Sequence, residues 1–396
     1  GITLLRRTFL YLIVKLPAFP NVVVYGLSTE GYNFASSLVS AGHKVSLLDE
    51  STKMGFLLNA DIVRTYSSAS DLIEDESLLE LEAMDNVISS ASYLFFFPKI
   101  RKIGQEVKID ISSKFIDAIK PINNNTSIIY TLPTGIGGNE ENIDILEHTT
   151  GKTVGENIYY YYMPINSGPL LSTNTILGNF NSKRDTFLEN MLNKFTHQEI
   201  NFVDILSAEL AYVSRILRHY SGIASVLEVC KFSTGYNIDN QIVDNFYKDL
   251  YLDDITNGLH DLRIIQSFLH GSNPLVYLVN GTIKSIESYT KNLIDKVRYI
   301  LKKRNLKASK TRISISWTLD TNEMRGDKID VFTLLESKLR DYIGEVERKG
   351  TNSLDTYPSD KTTISIACSK SDYHLLSQNN SPESIIIKAN PICEVI

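Results

Sequence analysis

Cysteine is scarce in this 396-residue chain: Cys230, Cys368 and Cys393 are far apart and odd in number. They suggest neither a disulfide framework nor a metal-ligand cluster, and a reducing cytoplasm is the expected setting. Positive charge is not in excess. Forty Lys and Arg stand against 46 Asp and Glu, which leaves no basic footprint for nucleic acid. Long apolar runs are missing too. The stretch Phe9 to Val14, flanked by Arg6, Arg7 and Lys15, falls far short of the roughly 20 residues of a membrane-spanning helix. Basic residues ahead of an apolar run fit a secretory signal, but no small-residue cleavage site follows. Residues 1–20 are therefore expected to be an N-terminal extension, an arm or an extra strand, outside the functional argument. No short repeat occurs, and the only low-complexity patch is Asn123-Asn124-Asn125.

What is present is an ordinary globular composition, 43% hydrophobic and 22% charged, in a chain longer than one core usually serves. Asn21 to Tyr25 reads as a β-branched strand ending in Gly26. From Tyr32 to Ala41 the apolar positions Phe34, Ala35, Leu38 and Val39 recur at helical spacing. Gly42 stops that helix, and Val45 to Leu48 is a second buried-type strand ending at Asp49. Tyr93 to Phe97 and Ser127 to Leu132 are further strand candidates, and Tyr159 to Tyr162 another. Such alternation predicts a parallel sheet with helices on both faces. After about residue 185, Asp185 to Lys194, Val203 to Lys231, Ile238 to Leu252 and Thr282 to Lys303 read as helices with no strand between them. A strand–helix pattern then resumes with Arg312 to Trp317, Val331 to Tyr342, Thr362 to Ala367 and Ser384 to Lys388. The expected fold class is α/β: a Rossmann domain over 21–195, a helical domain over 196–305 and a smaller Rossmann-like domain over 306–396.

The turn after the first strand reads Gly26-Leu27-Ser28-Thr29-Glu30-Gly31. In a dinucleotide fingerprint the first glycine allows the tight turn, the second admits the pyrophosphate and the third lets helix and strand pack closely. The first and third are present. Ser28 holds the second place, where its small side chain hinders approach without blocking it. Asp49 lies 18 residues past Gly31, where an acid bonds the ribose hydroxyls of NAD. Glu30 puts a negative charge at the helix start, in competition with the phosphates that the helix dipole attracts. Two readings stand: a turn that holds NAD through Gly26, Ser28, Thr29, Gly31 and Asp49, or a unit kept for packing with its cofactor lost.

These segments resemble the UDP-glucose/GDP-mannose dehydrogenase family. Gly26 to Asp49, with Ala41-Gly42-His43, is similar to that family's opening GxGYVGxxxAxxLAxxGHxVxxxD. Phe95-Phe96-Phe97-Pro98 with Asp110 looks like its hydrophobic strand and VPTP loop. Tyr130-Thr131-Leu132-Pro133-Thr134-Gly135 resembles STVPPG, and Ala208-Glu209-Leu210 with Ile223-Ala224 and Glu228 resembles its long central helix. Asp320 to Gly326 looks like the TDDMRES segment that opens the last domain. The resemblance implies an NAD-binding first domain that includes Pro98 and Thr131 among its cofactor contacts. It also implies a central helical region that builds a homodimer, and a C-terminal domain for the nucleotide of a nucleotide sugar, with Arg325 beside it.

The chemistry of the family is another matter. Its members oxidise a sugar alcohol to a carboxylate through a thiohemiacetal on the cysteine of GGSCxPKD, because a thiolate adds to an aldehyde and leaves as a thioester. The similar stretch here is His270-Gly271-Ser272-Asn273-Pro274, with Asn273 in the cysteine's place, and an amide is no such nucleophile. The central helix's Lys and two Asn of the family correspond to Tyr212, Ile216 and Leu227. Neighbouring Arg215 or Arg218 supplies charge but is a poor proton donor. No Asp or Glu lies between Glu156 and Asp185, so acid–base work there has no carboxylate. Thr131, whose family counterpart lies at the catalytic water, and Arg325 survive. The leading expectation is a catalytically degenerate member that binds NAD, a nucleotide sugar or both in a regulatory or subunit role. The alternatives are an oxidoreductase with cysteine-free chemistry and a cofactor-free interaction scaffold.

Overall fold

The computed structural model describes residues 19–75, 79–166, 175–181, 184–196, 199–233, 249–349, 360–379 and 384–390. Two parallel-dominated sheets carry the chain. The larger has nine strands in the order β4-β3-β2-β1-β5-β6-β7-β8-β9. Its centre is β1 (Val22–Tyr25), flanked in parallel by β2 (Val45–Asp49) and β5 (Tyr93–Phe96). Beyond β5 come β6 (Ser127–Tyr130) and β7 (Tyr159–Tyr162), also parallel. On the other side β3 (Met54–Leu58) and β4 (Glu82–Ala83) run antiparallel. The order reverses between β1 and β5, and the crevice over the C-terminal ends of these strands is where open α/β sheets place ligands.

The remaining strands of that sheet are β8 (Thr175–Asn179), which the sequence pattern does not mark, and β9 (Ile200–Asp204), which corrects the expected run of uninterrupted helices after residue 185. β9 escapes the sequence pattern because it is only half buried and leads straight into a helix capped by its own last residue, Asp204, which accepts the Ser207 N–H. The expected helix over residues 238–248 lies outside the described residues.

Six helices matter for the site: α1 (Thr29–Ser40), α2 (Gly138–Thr150), α3 (Ile205–Cys230), α4 (Leu259–Ser267), α5 (Pro274–Lys303) and α6 (Asp327–Arg340). In α3 the residues Ala208, Tyr212, Ile216 and Tyr220 recur every fourth position and are buried, a stripe whose members meet Gly178 of β8, Asp261 of α4 and Gly258. Full burial of a side chain such as Ile216 contributes about 1.5–3 kcal/mol. The second sheet, β11-β10-β12-β13, is parallel throughout. Its strands are β10 (Thr311–Ser316), β11 (Val346–Lys349), β12 (Thr362–Ala367) and β13 (Ser384–Lys388). The α/β fold class, with two Rossmann-like sheets and long helices between them, agrees with the sequence pattern.

Cys230 is disulfide-bonded, which the count of three distant cysteines does not suggest, since separation along a chain says little about separation in space. No helix among the described residues is long and apolar enough to cross a membrane.

Candidate functional site

The glycine turn joins β1 to α1. Gly26 has φ +114°, and a Cβ there would lie 2.0 Å from the Phe97 carbonyl oxygen and 2.9 Å from Pro98 Cα. A Cβ on Gly31 would meet the Gly26 carbonyl at 2.6 Å. Both glycines are thus demanded by the packing of the turn against the end of β5, and Pro98 is part of that wall. Ser28 is wholly buried and faces inward. Its hydroxyl donates to the Phe97 carbonyl at 2.9 Å and accepts the Gly31 N–H at 3.0 Å, an N-cap.

What stands over the turn is the chain's own 320–326 segment. Thr29 donates its N–H to the Asn322 carbonyl at 2.8 Å and its hydroxyl to Asp320 Oδ2 at 2.6 Å. Glu30 accepts the Met324 N–H at 2.9 Å, and burial pushes the Glu30 carboxyl above its ordinary pKa. A neighbouring helix N-terminus is filled in the same manner. Glu209 of α3 accepts the N–H groups of Gly137 and Asn139 at the start of α2.

The ribose side looks different. Leu27, Met54, Phe56, Leu72 and Leu81 line a narrow cleft together with Asp49. Asp49 Oδ1 accepts the N–H and hydroxyl of Ser51. This half has the apolar wall and acid that a nucleoside needs. The pyrophosphate half does not fit NAD, because the Thr29 N–H and hydroxyl are taken by the 320–326 segment and the Gly31 N–H by Ser28.

The second centre lies where α3, α4 and the start of α6 converge. Arg325 is 8% exposed and donates from Nε to Asp261 Oδ1 at 2.8 Å and from Nη2 to the Ile165 carbonyl at 2.6 Å. Burial opposes its charge, and Asp261 more than offsets this, so its pKa stands above the ordinary value. Tyr212, also wholly buried, donates toward Asp261 Oδ2 at 2.8 Å and the Ile165 carbonyl at 3.1 Å. Burial raises the phenol's pKa, leaving a neutral donor. His260 is held neutral, its pKa pushed down to about 3 by burial and then by Arg325 and Arg263. Arg325 and its neighbours Glu30, Thr256, Asn257, Glu323, Asp327 and Lys328 line a small cleft. There burial lifts Glu323 to about 7 and Asp327 to about 6.

Asn273 is not part of this centre. It caps α5, accepting the Val276 N–H at 3.1 Å, with Pro274 in the first turn. Gly-Ser-Asn-Pro is a helix-start signature that happens to share Gly-Ser with the family motif. In GGSCxPKD the cysteine lies four residues before the aspartate, and that spacing ending on Asp261 falls on Asn257, which lines the cleft. Thr131, wholly buried, donates to the Phe96 carbonyl, and its own carbonyl accepts the Ile165 N–H, so it closes β6 against β5 beside the centre. Ile216 and Leu227 are core residues, and Arg215 reaches Asn166 at 3.4 Å and acts electrostatically on Tyr212. Asp261, Glu323 and Asp327 are site residues that the motif comparison does not single out.

Three solved structures align with the chain over nearly their full length. A UDP-D-ManNAc dehydrogenase of Pyrococcus horikoshii matches at 15% identity and TM-score 0.64, covering 88% of this chain and 89% of that one. A UDP-glucose dehydrogenase of Pyrobaculum islandicum matches at 10% identity and TM-score 0.59, covering 95% and 88%. The UDP-N-acetyl-mannosamine dehydrogenase of S. aureus matches at 14% and 0.55, covering 88% of each chain. The chain has the fold of the UDP-sugar dehydrogenases. No protein-family model matches it, and no curated protein matches it by sequence. Among the described residues, Cys368 is wholly buried, with burial pushing its pKa up, and Cys230 is in a disulfide.

Proposed function

We propose that this chain is a catalytically silent relative of the UDP-sugar dehydrogenases, acting as a regulatory or subunit protein and not as an oxidising enzyme. The observation that carries the reading is the closed Tyr212–Asp261–Arg325 cluster. Where the resemblance calls for a lysine and a reactive thiol, the side chains are a neutral phenol, an ion pair and the Asn257 amide. None of these adds to an aldehyde, and both oxygens of Asp261 are engaged by Arg325 and Tyr212. A nucleotide sugar is the ligand class this reading keeps. A homodimer through α3, which leaves Leu206 and Leu210 exposed one turn apart, belongs to the same proposal and is checked by light scattering. The Cys230 disulfide weighs against a reducing compartment, since such bonds persist mainly in oxidising ones.

The test is direct. Purified protein is incubated with NAD or NADP and a panel of UDP- and GDP-sugars while reduced nicotinamide is followed by fluorescence. No reduction is expected. Turnover that Asp49→Ala abolishes would show the chain to be an oxidising enzyme after all. A cysteine-free reaction is the second reading, favoured by Glu323, whose carboxyl near 7 faces the cleft with Lys328 and is poised to exchange protons at neutrality. Activity that tracks this ionisation and disappears in Glu323→Gln would select it.

A further inference from the structure

We infer that the 320–326 segment is a built-in plug occupying the place of a dinucleotide's pyrophosphate, and that Arg101 is the clasp that holds it there. This goes beyond catalytic silence, because a chain without a reactive thiol can still bind a dinucleotide.

The first turn of a Rossmann helix offers free N–H groups, and a phosphate is normally their partner. Here the Asn322 carbonyl takes the Thr29 N–H, Ser28 takes that of Gly31, and the Asp320 carboxylate sits on the Thr29 hydroxyl. Asp320 and Glu30 bring negative charge to the spot, so a pyrophosphate would meet repulsion as well as a filled site. The segment is fastened from several sides. Arg101 donates from Nη1 to the carbonyls of Ile100 and Met324 and from Nη2 to those of Thr321 and Glu323. The Ile100 N–H donates to the Met324 carbonyl at 2.7 Å. Lys99 Nζ donates to Asn322 Oδ1, and Asn322 Nδ2 donates to Ser70. The approach is close enough that a Cβ on Gly326 would lie 2.9 Å from the Ile100 carbonyl. Three of the four acceptors around Arg101 belong to the plug, so this one side chain ties down most of its backbone.

The experiment combines amide hydrogen exchange with calorimetric titration of NAD and ADP-ribose on the full chain. In the wild type the Thr29 and Met324 amides are protected without ligand, and neither compound binds at millimolar concentration. In Arg101→Ala those amides exchange on the order of 10-fold faster, and both compounds bind and raise the melting temperature by mass action. Should Arg101→Ala fail to fold, Asp320→Ala removes the Thr29 side-chain partner and gives the same two readouts at smaller size. Wild-type binding of either compound overturns the plug. So does a loosened variant that still binds neither. Binding without reduction sinks the plug alone, whereas sugar-dependent NAD reduction by the wild type sinks the proposed silence with it, so the two failures are told apart.

Discussion

The glycine turn and the Arg325 centre have each departed from what their fold suggests, but in opposite manners. At the turn the residue types are nearly those of a working dinucleotide site: Gly26 and Gly31 are required sterically, Ser28 caps the helix and Asp49 ends β2. Its Thr29 N–H and hydroxyl are satisfied from within, by Asn322 and Asp320. At the centre, where α3, α4 and the 320–326 segment meet near Ile165, two buried donors, Tyr212 and Arg325, share one carboxylate, Asp261. The first region is closed by backbone contact between distant segments, the second by pairing among side chains.

The largest effect should come from the centre. Asp261→Ala leaves the buried Arg325 guanidinium without its counter-ion and is expected to cost about 3–5 kcal/mol in urea unfolding. Pairing Asp261→Leu with Arg325→Met should recover most of that loss. A single-variant cost below about 1 kcal/mol would mean that water reaches the guanidinium, and the contrast with the turn would collapse. Next, Gly26→Ala sets a side chain into a positive-φ position against the Phe97 carbonyl and should cost on the order of 3 kcal/mol. Ser28→Ala removes the cap and the bond to the Phe97 carbonyl, together about 1–2 kcal/mol. If the two turn variants cost the same, the turn is looser than the contacts around Gly26 imply.

The smallest effect is a change of pH slope. Burial raises Glu323 from 4.5 to about 7 in the folded protein. The folded state therefore binds this proton more tightly than the unfolded chain does. Its stabilising contribution is complete below pH 4.5 and disappears as pH rises through about 7. Glu323→Gln should flatten the stability profile across that window, measured as urea midpoints at a series of pH values. An unchanged profile would show that the Glu323 carboxyl is solvated in the cleft.

Much of the fold is legible in the sequence because it is written in local periodicity. The alternation over Val22 to Asp49, the four-residue stripe of α3 and the apolar runs of β10, β12 and β13 each mark one element with no reference to any other. The strands β3, β4 and β9 leave no such mark. They are short or half buried, and β9 runs directly into the helical pattern of α3. Asn273 resembles a site residue because a helix cap and a catalytic loop can share Gly-Ser. Asp261 carries no comparable signature, because its partner, Arg325, lies 64 residues further on, and no spacing rule joins them.

By itself the sequence determined the strand–turn–helix order, the need for glycine at Gly26 and Gly31, and the scarcity of thiols from which a reactive one might come. These follow from backbone conformation and side-chain chemistry, which each residue carries with it. Tertiary structure alone decided what the free N–H groups of α1 point at. Such a donor binds a phosphate, a carboxylate or a carbonyl equally readily. Only the folding of the C-terminal segment back onto the first domain brings Asp320 and Asn322 within reach of Thr29.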